Sequence, residues 1–202
     1  MNSATPNGHT IDGHDEEIAC TVHSTHSSTR EKALEHIFLG DLLRALWRMG
    51  MHDVEILRPE IDRNGYEFVI GCNGIRRSIQ LKTTRKNGKA QAVTVNCRLA
   101  SEPSGCVIWI LFDEKTLQLG PFLWLGQGSG VKLQDLGNKV AKHARGNKDG
   151  VKPERPGHRV VSKSRFTRFD SMHQLVKTLF GEPATRTSAG AGRSPMASEA
   201  SA

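Results

Sequence analysis

Glu67, Gln80 and Lys82 are side chains that together can hold a divalent cation and a phosphate, and the surrounding sequence places them side by side. They lie in two segments with alternating apolar residues, 66–70 and 75–83, which are separated by the dipeptide Asn-Gly. That dipeptide favours a two-residue hairpin turn, which fixes how the two strands pair. Counting outward from the turn places Glu67 opposite Gln80, and Lys82, two residues further along, points to the same face. The sequence therefore predicts a carboxylate, an amide and an ammonium group on one face of a β-hairpin.

A second carboxylate, Glu35, lies on the apolar stripe of a predicted helix. Residues 28–49 carry apolar side chains at helical spacing, and Ser28 is suited to cap the N-terminus. One lane of this helix contains Glu35 together with the leucines at 39, 42 and 46. Burying a carboxylate is costly unless a cation, a metal ion or a hydrogen-bond donor lies nearby. Glu35 is therefore a candidate fourth member of the site; alternatively, it only stabilises the positive end of the helix.

A helix that bears a Glu, followed by the segments GYEFVI and SIQLKTT, resembles the PD-(D/E)xK nuclease superfamily in its Q-x-K variant. The resemblance covers roughly residues 30–125 and implies that Glu35, Glu67, Gln80 and Lys82 are the catalytic residues. Two positions depart from the usual pattern. Glu67 stands where the superfamily usually has Asp, and Gln80 stands where Glu is more common.

The resemblance also implies a metal cofactor, Mg²⁺ or Mn²⁺. Glu35, Glu67 and Gln80 would supply its oxygen ligands, since Mg²⁺ is usually held by one or two carboxylates with water and substrate oxygens. Lys82 would orient the attacking water or offset the charge that grows on the phosphate. The alternative for Lys82 is that it only neutralises Glu67 at the end of a strand.

Five cations close to the hairpin are candidates for contacts with a nucleic-acid backbone. Phosphate contacts position a nucleic acid without reading its sequence. The alternative is that these side chains are solvated charges of ordinary turns. The residues are Arg76, Arg77, Arg85, Lys86 and Lys89.

The chain is basic, with a net charge of +7 among 202 residues, and the charge is concentrated in one segment. Residues 131–168 contain eleven Lys or Arg against three Asp or Glu, a local excess of +8. Such an excess favours a polyanionic partner. A solvated loop is an equally good interpretation of this segment.

The expected organisation is one domain, 29–182, between disordered tails at 1–28 and 183–202 that are poor in large apolar residues. The fold class is α/β, with a three-layer, restriction-endonuclease-like core in which a mixed central sheet is flanked by helices. We expect a helix over 28–49 and a last helix capped by Asp170. The expected strands are 54–57, 66–70, 75–83, 106–112 and 121–125, with a further extended segment over 159–169.

Other features bear on compartment and packing. The longest apolar run, 106–112, is far shorter than the roughly 18 to 20 residues of a membrane helix, so no membrane partner is expected. The N-terminus lacks the apolar core of a secretion signal, which predicts a cytoplasmic protein with reduced cysteines. Trp47 and Trp109 are expected to pack in the core.

Three functions agree with these patterns. The first is metal-dependent hydrolysis of phosphodiester bonds in nucleic acid, with DNA as the expected substrate. The second is a DNA-binding module that keeps the nuclease fold but has lost hydrolysis through the exchanges at Glu67 and Gln80. The third is a protein-interaction scaffold without a nucleic-acid role. A homodimer or a partner protein is compatible with each.

Overall fold

The predicted helices and strands are present in the predicted order, together with two strands that the sequence did not predict, Ala92–Asn96 and Val140–Lys142; the predicted extended segment 159–169 is divided between two strands. The computed structural model describes residues 27–61, 64–146, 148 and 150–182, so all but the last two residues of the predicted N-terminal tail and the whole of the C-terminal one lie outside the described residues. The helices are α1 (Ser27–Arg48) and α2 (Met172–Phe180). Two short 3₁₀ helices span Cys97–Ser101 and Lys163–Arg165. The strands are β1 (Val54–Leu57), β2 (Phe68–Cys72), β3 (Ile75–Arg85), β4 (Ala92–Asn96), β5 (Gly105–Phe112), β6 (Leu119–Leu125), β7 (Val140–Lys142), β8 (Glu154–Ser162) and β9 (Thr167–Phe169).

Strand β5 is the centre of the main sheet, and all eight of its residues are buried. The main sheet has six strands in the order β1-β2-β3-β5-β6-β9. Strand β5 pairs with β3 in parallel and with β6 in antiparallel orientation, so the sheet is mixed. A strand that is covered on both faces needs an apolar residue at every position, which is why the run 106–112 predicted it correctly.

The two faces of the main sheet are covered in different ways. Helices α1 and α2 contact each other and lie on one face, where they bury a helix-side core that includes Phe38, Phe68 and Ile108. The opposite face carries a sheet-side core that includes Val95, Trp109 and Val161, and a second sheet with the strand order β4-β8-β7 covers it. The prediction of three layers is correct in outline. The prediction that helices flank the sheet is wrong for the second face, where a three-stranded sheet takes their place.

The Asn-Gly turn sets the pairing of β2 with β3 as the sequence predicts. Cys72 pairs with Ile75, and the ladder continues in the same register to Phe68 and Ile79. Asn73 and Gly74 both have positive φ, at 49° and 77°. A two-residue turn of this kind needs a positive φ at both central residues, which Asn and Gly tolerate best.

One of the two tryptophan predictions is confirmed and the other is wrong. Trp109 is fully buried, whereas Trp47 on α1 is 70% exposed because it lies on the solvent side of the helix.

The hydroxyl of Ser171, rather than the carboxylate of Asp170, caps α2 by accepting a hydrogen bond from the backbone of Gln174. Within the described residues, neither helix has both the length and the apolar character that crossing a membrane requires.

Candidate active site

The chain bends at Glu67, where β2 is about to begin. Tyr66 packs against the sheet-side core and Phe68 lies in the helix-side core, although residues two apart on a regular strand would share one face. The N–H of Glu67 donates to the carbonyl of Ile79 at 2.9 Å. The predicted pair of Glu67 and Gln80 is therefore not formed, because the regular ladder ends one residue earlier.

The bend directs the Glu67 carboxylate to the open edge of β3. Alternate N–H groups of β3 point towards β2, and beyond Ile79 the regular β2 ladder no longer supplies acceptors for them. Glu67 Oε2 fills the first of these positions by accepting a hydrogen bond from the N–H of Leu81 at 3.2 Å. The carboxylate thus lies at the sheet edge, within reach of side chains from the helix layer.

Three of the four predicted catalytic residues line one cavity at this edge. Its volume is about 450 Å³, and we call it the edge pocket. Glu35 comes from α1, Glu67 from the bend and Lys82 from β3. The complete lining is Ser28, Glu31, Lys32, Glu35, Glu67, Leu81, Lys82 and Thr83.

Gln80, the fourth predicted residue, is buried outside this lining. Its Oε1 accepts a hydrogen bond from the backbone N–H of Asn96, at the end of β4, at 3.3 Å. Asn96 belongs to the three-stranded sheet on the other side of the main sheet from α1. Gln80 and Glu35 therefore face different layers, and we leave Gln80 out of the proposed ligands.

Glu35 is buried and held by two cations. Its carboxylate accepts hydrogen bonds from Lys32 at 2.9 Å and from the guanidinium of Arg58. Burial alone would raise the pKa of Glu35, but the hydrogen bonds and charges of Lys32 and Arg58 outweigh it and leave the pKa below its ordinary value. Glu35 is therefore an ionised carboxylate that already has partners.

Glu67 has the opposite electrostatic character. Although the residue as a whole is exposed, its carboxyl group is enclosed by protein atoms, and this burial raises its pKa to about 7. The charge of Lys82 and the Leu81 N–H act in the other direction, while the Glu35 charge raises the pKa further. A carboxyl group that is half protonated near pH 7 can lose its proton to solvent when a cation binds, or take a proton from a substrate.

Three of the five predicted phosphate-binding cations lie beside the edge pocket. Arg85, Lys86 and Lys89 line a neighbouring cavity of about 500 Å³. The two cavities share Glu31 and Thr83, so they are contiguous. Arg85 also forms an ion pair with Glu114 at 2.8 Å, which fixes the beginning of this turn.

The other two predicted cations are elsewhere. Arg76 is exposed near the hairpin turn, six residues or about 20 Å along β3 from Lys82, and pairs with Glu55 at 3.2 Å. Arg77 is only 3% exposed, and its guanidinium donates to the carbonyls of Leu179 and Gln127, both at 2.8 Å. The expectation that Arg77 contacts phosphate is not supported, because its charged group is enclosed in the protein.

A metal ion at the edge pocket would have the two predicted carboxylates, Glu35 and Glu67, available, and Glu31 also lines the pocket. Among the described residues, no group of three or more His, Cys, Asp or Glu comes together as a metal site. Two carboxylates with water and substrate oxygens are a common set for Mg²⁺, whereas a cage made of protein ligands alone is not available here. The pair Glu35 and Glu67 therefore fits a substrate-assisted metal site, provided that Glu35 exchanges a cation partner.

Sequence reasoning missed Lys32 and Arg58, the two partners of Glu35. The contact of Lys32 with Glu35 could have been predicted from their spacing, since residues three apart on a helix are neighbours. Arg58 had none, because its contact with Glu35 depends on how the segment after β1 packs against α1.

Comparison of the chain with models of protein families, with curated proteins and with solved structures found no match. What the site can do is therefore inferred from its own side chains. Those side chains are Glu67, whose pKa is raised to about 7, the ionised carboxylate of Glu35 and the ammonium group of Lys82. All three line one open cavity.

Proposed function

We propose that this protein hydrolyses phosphodiester bonds of nucleic acid in a metal-dependent reaction, with DNA as substrate and Mg²⁺ or Mn²⁺ as cofactor. One observation carries the proposal: Glu67, with a pKa raised to about 7, shares an open pocket with Lys82 and Glu35. Strongly perturbed carboxyl groups beside a cation in a cleft are typical of catalytic sites.

Glu67 and Glu35 are the residues that would hold the metal. Bound there, the metal would supply stabilisation of negative charge on the scissile phosphate and would acidify a water molecule. Glu67 gives up its proton readily near neutral pH because its carboxyl group is already half ionised. Glu35 is ionised, but it must loosen its contact with Lys32 or Arg58 to contribute an oxygen.

Lys82 and the neighbouring turn would act on the substrate. Lys82 is half-buried in the pocket, where its ammonium group can orient a water molecule and offset charge that develops on phosphate oxygens. Arg85, Lys86 and Lys89 line the contiguous cavity and can hold the adjoining phosphates of the strand.

A second function, DNA binding without hydrolysis, is favoured by a specific observation. Glu35 is already neutralised by two cations, and Gln80 bonds to Asn96 outside the edge pocket. If Glu35 keeps both partners, Glu67 is the only one of the two proposed metal ligands that is left available. In that case the pocket would bind a metal too weakly to promote hydrolysis.

One experiment separates these functions. Plasmid and linear DNA are incubated with the purified protein in Mg²⁺, in Mn²⁺ and in chelator, alongside Glu67→Gln and Lys82→Ala. The nuclease proposal expects metal-dependent cutting that falls at least about 100-fold in either variant. Glu55→Gln and Lys115→Ala, exposed residues that do not line the edge pocket, are the matched controls and should retain activity.

The other outcomes decide against the enzyme. Salt-sensitive retention of DNA without cutting, unchanged in both pocket variants, supports the binding module instead. Absence of both cutting and retention overturns both functions and leaves a protein-interaction scaffold.

A further inference from the structure

At one end of the three-stranded sheet, β7 and the first part of β8 continue past the end of β4 as a two-stranded ribbon. Strand β4 pairs with β8 from Ser162 back to His158, whereas the first part of β8 pairs with β7 through Glu154 and Arg155. Residues 154–157 of β8 therefore lie past the end of β4, and the register shifts there, since Val140 pairs with Arg159 but Ala141 pairs with Arg155. The N–H of His143 donates to the carbonyl of Pro153 at 2.9 Å and closes the end of the ribbon. We call the segment 139–155, in which residues 147 and 149 lie outside the described residues, the basic ribbon.

The basic ribbon has a large excess of positive charge. Its seventeen residues include six Lys or Arg and two acids. Five of the six cations are exposed, and Arg155, which is half-buried, contacts His158 at 3.0 Å. The six are Lys139, Lys142, Arg145, Lys148, Lys152 and Arg155.

No described carboxylate forms an ion pair with these cations, in contrast to several other cations on the surface. Elsewhere, Arg44 pairs with Asp41, Arg76 with Glu55 and Lys177 with Glu182. In the described part of the ribbon, no Lys or Arg lies within ion-pair distance of a described Asp or Glu, although Lys142 pairs with Glu154 in the strand register. A projecting group of like charges repels itself, and that cost is removed when an anion with several charges binds.

The root of the ribbon is anchored next to the proposed catalytic edge. His158 pairs with Asn96 across the small sheet, and the Asn96 N–H bonds to Gln80 on β3. Gly65, two residues before Glu67, contacts the same Asn96 so closely that a Cβ on the glycine would lie 2.5 Å from Asn96 Cβ. The ribbon is thus connected to β3 and to the segment before Glu67, both of which supply residues of the edge pocket, while its exposed cations can contact a ligand.

We propose that the basic ribbon is the main binding surface for duplex DNA, an inference that rests on the proposed function for its choice of DNA. A two-stranded ribbon matches the width of the major groove of B-form DNA, which is about 12 Å, whereas the corresponding groove of an RNA duplex is too narrow to admit it. Cations on both strands and the tip would contact phosphates on each side of the groove. The ribbon would hold the duplex, and the edge pocket would act on one strand.

The test measures DNA binding by the full chain carrying Glu67→Gln, so that binding is observed without cutting. The ribbon variant adds Lys142→Gln, Arg145→Gln, Lys148→Gln and Lys152→Gln. A matched control removes the same charge elsewhere through Arg44→Gln, Lys115→Gln, Arg168→Gln and Lys177→Gln. Fluorescence anisotropy of a labelled 20-base-pair duplex is recorded between 50 and 300 mM NaCl.

The expected result is a difference in salt dependence as well as in affinity. Each phosphate contact contributes about 0.9 to the slope of log K against log salt, so the loss of four contacts lowers the slope by about 3 to 4. Affinity at 100 mM NaCl should fall at least about 100-fold in the ribbon variant and less than about 5-fold in the control. Equal behaviour of the two variants would overturn the inference.

Two further measurements make the result specific. Tighter binding of an RNA duplex or of single-stranded DNA than of duplex DNA contradicts the proposed partner. If the wild-type protein cuts no DNA but the ribbon variant selectively loses duplex binding, the nuclease proposal fails and the ribbon inference stands. If the wild-type protein cuts DNA and the ribbon variant binds duplex DNA as tightly as the Glu67→Gln protein, the ribbon inference fails and the nuclease proposal stands.

Discussion

The edge pocket and the basic ribbon use charge in opposite ways. Around the pocket, Glu35 is bonded to Lys32 and Arg58, and the Glu67 carboxyl group accepts the Leu81 N–H and is surrounded by protein atoms. In the ribbon, the lysines are exposed, and none forms an ion pair with a described carboxylate. Charges with internal partners hold the fold and set the acidity of a site. Charges without partners are available to an external polyanion.

The contrast implies that charge alone does not indicate function. The neighbours Arg76 and Arg77 have the same side chain, but one is a solvent-exposed partner of Glu55 and the other bonds to carbonyls in the interior. Partial burial changes the pKa of a carboxyl group. A fully exposed charged side chain keeps its ordinary pKa and can attract an oppositely charged ligand from a distance.

The largest effect on stability is expected at Arg77, the extreme case of an internally bonded charge. Arg77→Met leaves the carbonyls of Leu179 and Gln127 without a donor and removes a cation from the negative end of α2. We expect a loss of about 3 kcal/mol in unfolding free energy and a decrease of about 10 °C in Tm. Urea and thermal unfolding measure it.

The matched control for this prediction is the adjacent residue. Arg76→Met removes an exposed ion pair with Glu55 and should change stability by less than about 0.5 kcal/mol. Equal effects at the two positions would show that burial does not separate the roles of the two arginines.

A smaller effect is expected when Glu35 loses one of its cations. The pKa of Glu35 lies below its ordinary value, so the ionised group stabilises the fold above about pH 4.5, and this contribution disappears as the pH falls through the folded-state pKa. Arg58→Met should therefore cost about 1 to 2 kcal/mol at pH 7 and less at pH 3. Urea unfolding at both values tests it against Arg44→Met, and a pH-independent cost would contradict it.

The smallest expected change in unfolding free energy follows from the raised pKa of Glu67. A pKa raised to about 7 from an ordinary 4.5 means that the fold loses stability as the pH rises between these values, because the ionised form is disfavoured in the folded state. Glu67→Gln should thus be about 1 kcal/mol more stable than wild type at pH 8, after allowance for solvent screening, and equally stable at pH 4. Thermal unfolding measures the difference, which corresponds to about 3 °C.

Carboxyl-carbon NMR gives a direct check on the same group. The resonance of Glu67 should titrate with a midpoint near 7. Lys82→Met should move that midpoint upward and Glu35→Gln should move it downward, because the lysine stabilises the ionised form and the second carboxylate opposes it. A midpoint near the ordinary value in the wild-type protein would remove the electrostatic basis of the proposed site.

Local rules account for the parts of the fold that could be predicted from the sequence. The Asn-Gly turn fixes the register of β2 and β3, and a continuous apolar run indicates the central strand. The burial of Arg77 also had a local signal, since it alternates with Ile75 and Ile79 on the apolar face of β3. That signal was overlooked because the arginine was assigned by its charge alone.

Long-range packing accounts for most of what could not be predicted. The second sheet pairs β4 with β8, more than sixty residues apart, and no local pattern indicates that pairing. The bend at Glu67 arises because two different cores bury Tyr66 and Phe68. The hairpin rule therefore correctly predicted that Glu67 and Lys82 are close, but wrongly included Gln80.

The hydrogen bond from Leu81 to the Glu67 carboxylate also protects the protein from unwanted β-augmentation. A strand edge with unoccupied amide groups is a template on which another polypeptide can add. Glu67 covers the first such amide with a negatively charged side chain, which also repels an approaching peptide carbonyl. Replacing it with alanine would uncover that amide and invite self-association, whereas glutamine keeps an oxygen in place, which makes Glu67→Gln the cleaner probe of chemistry.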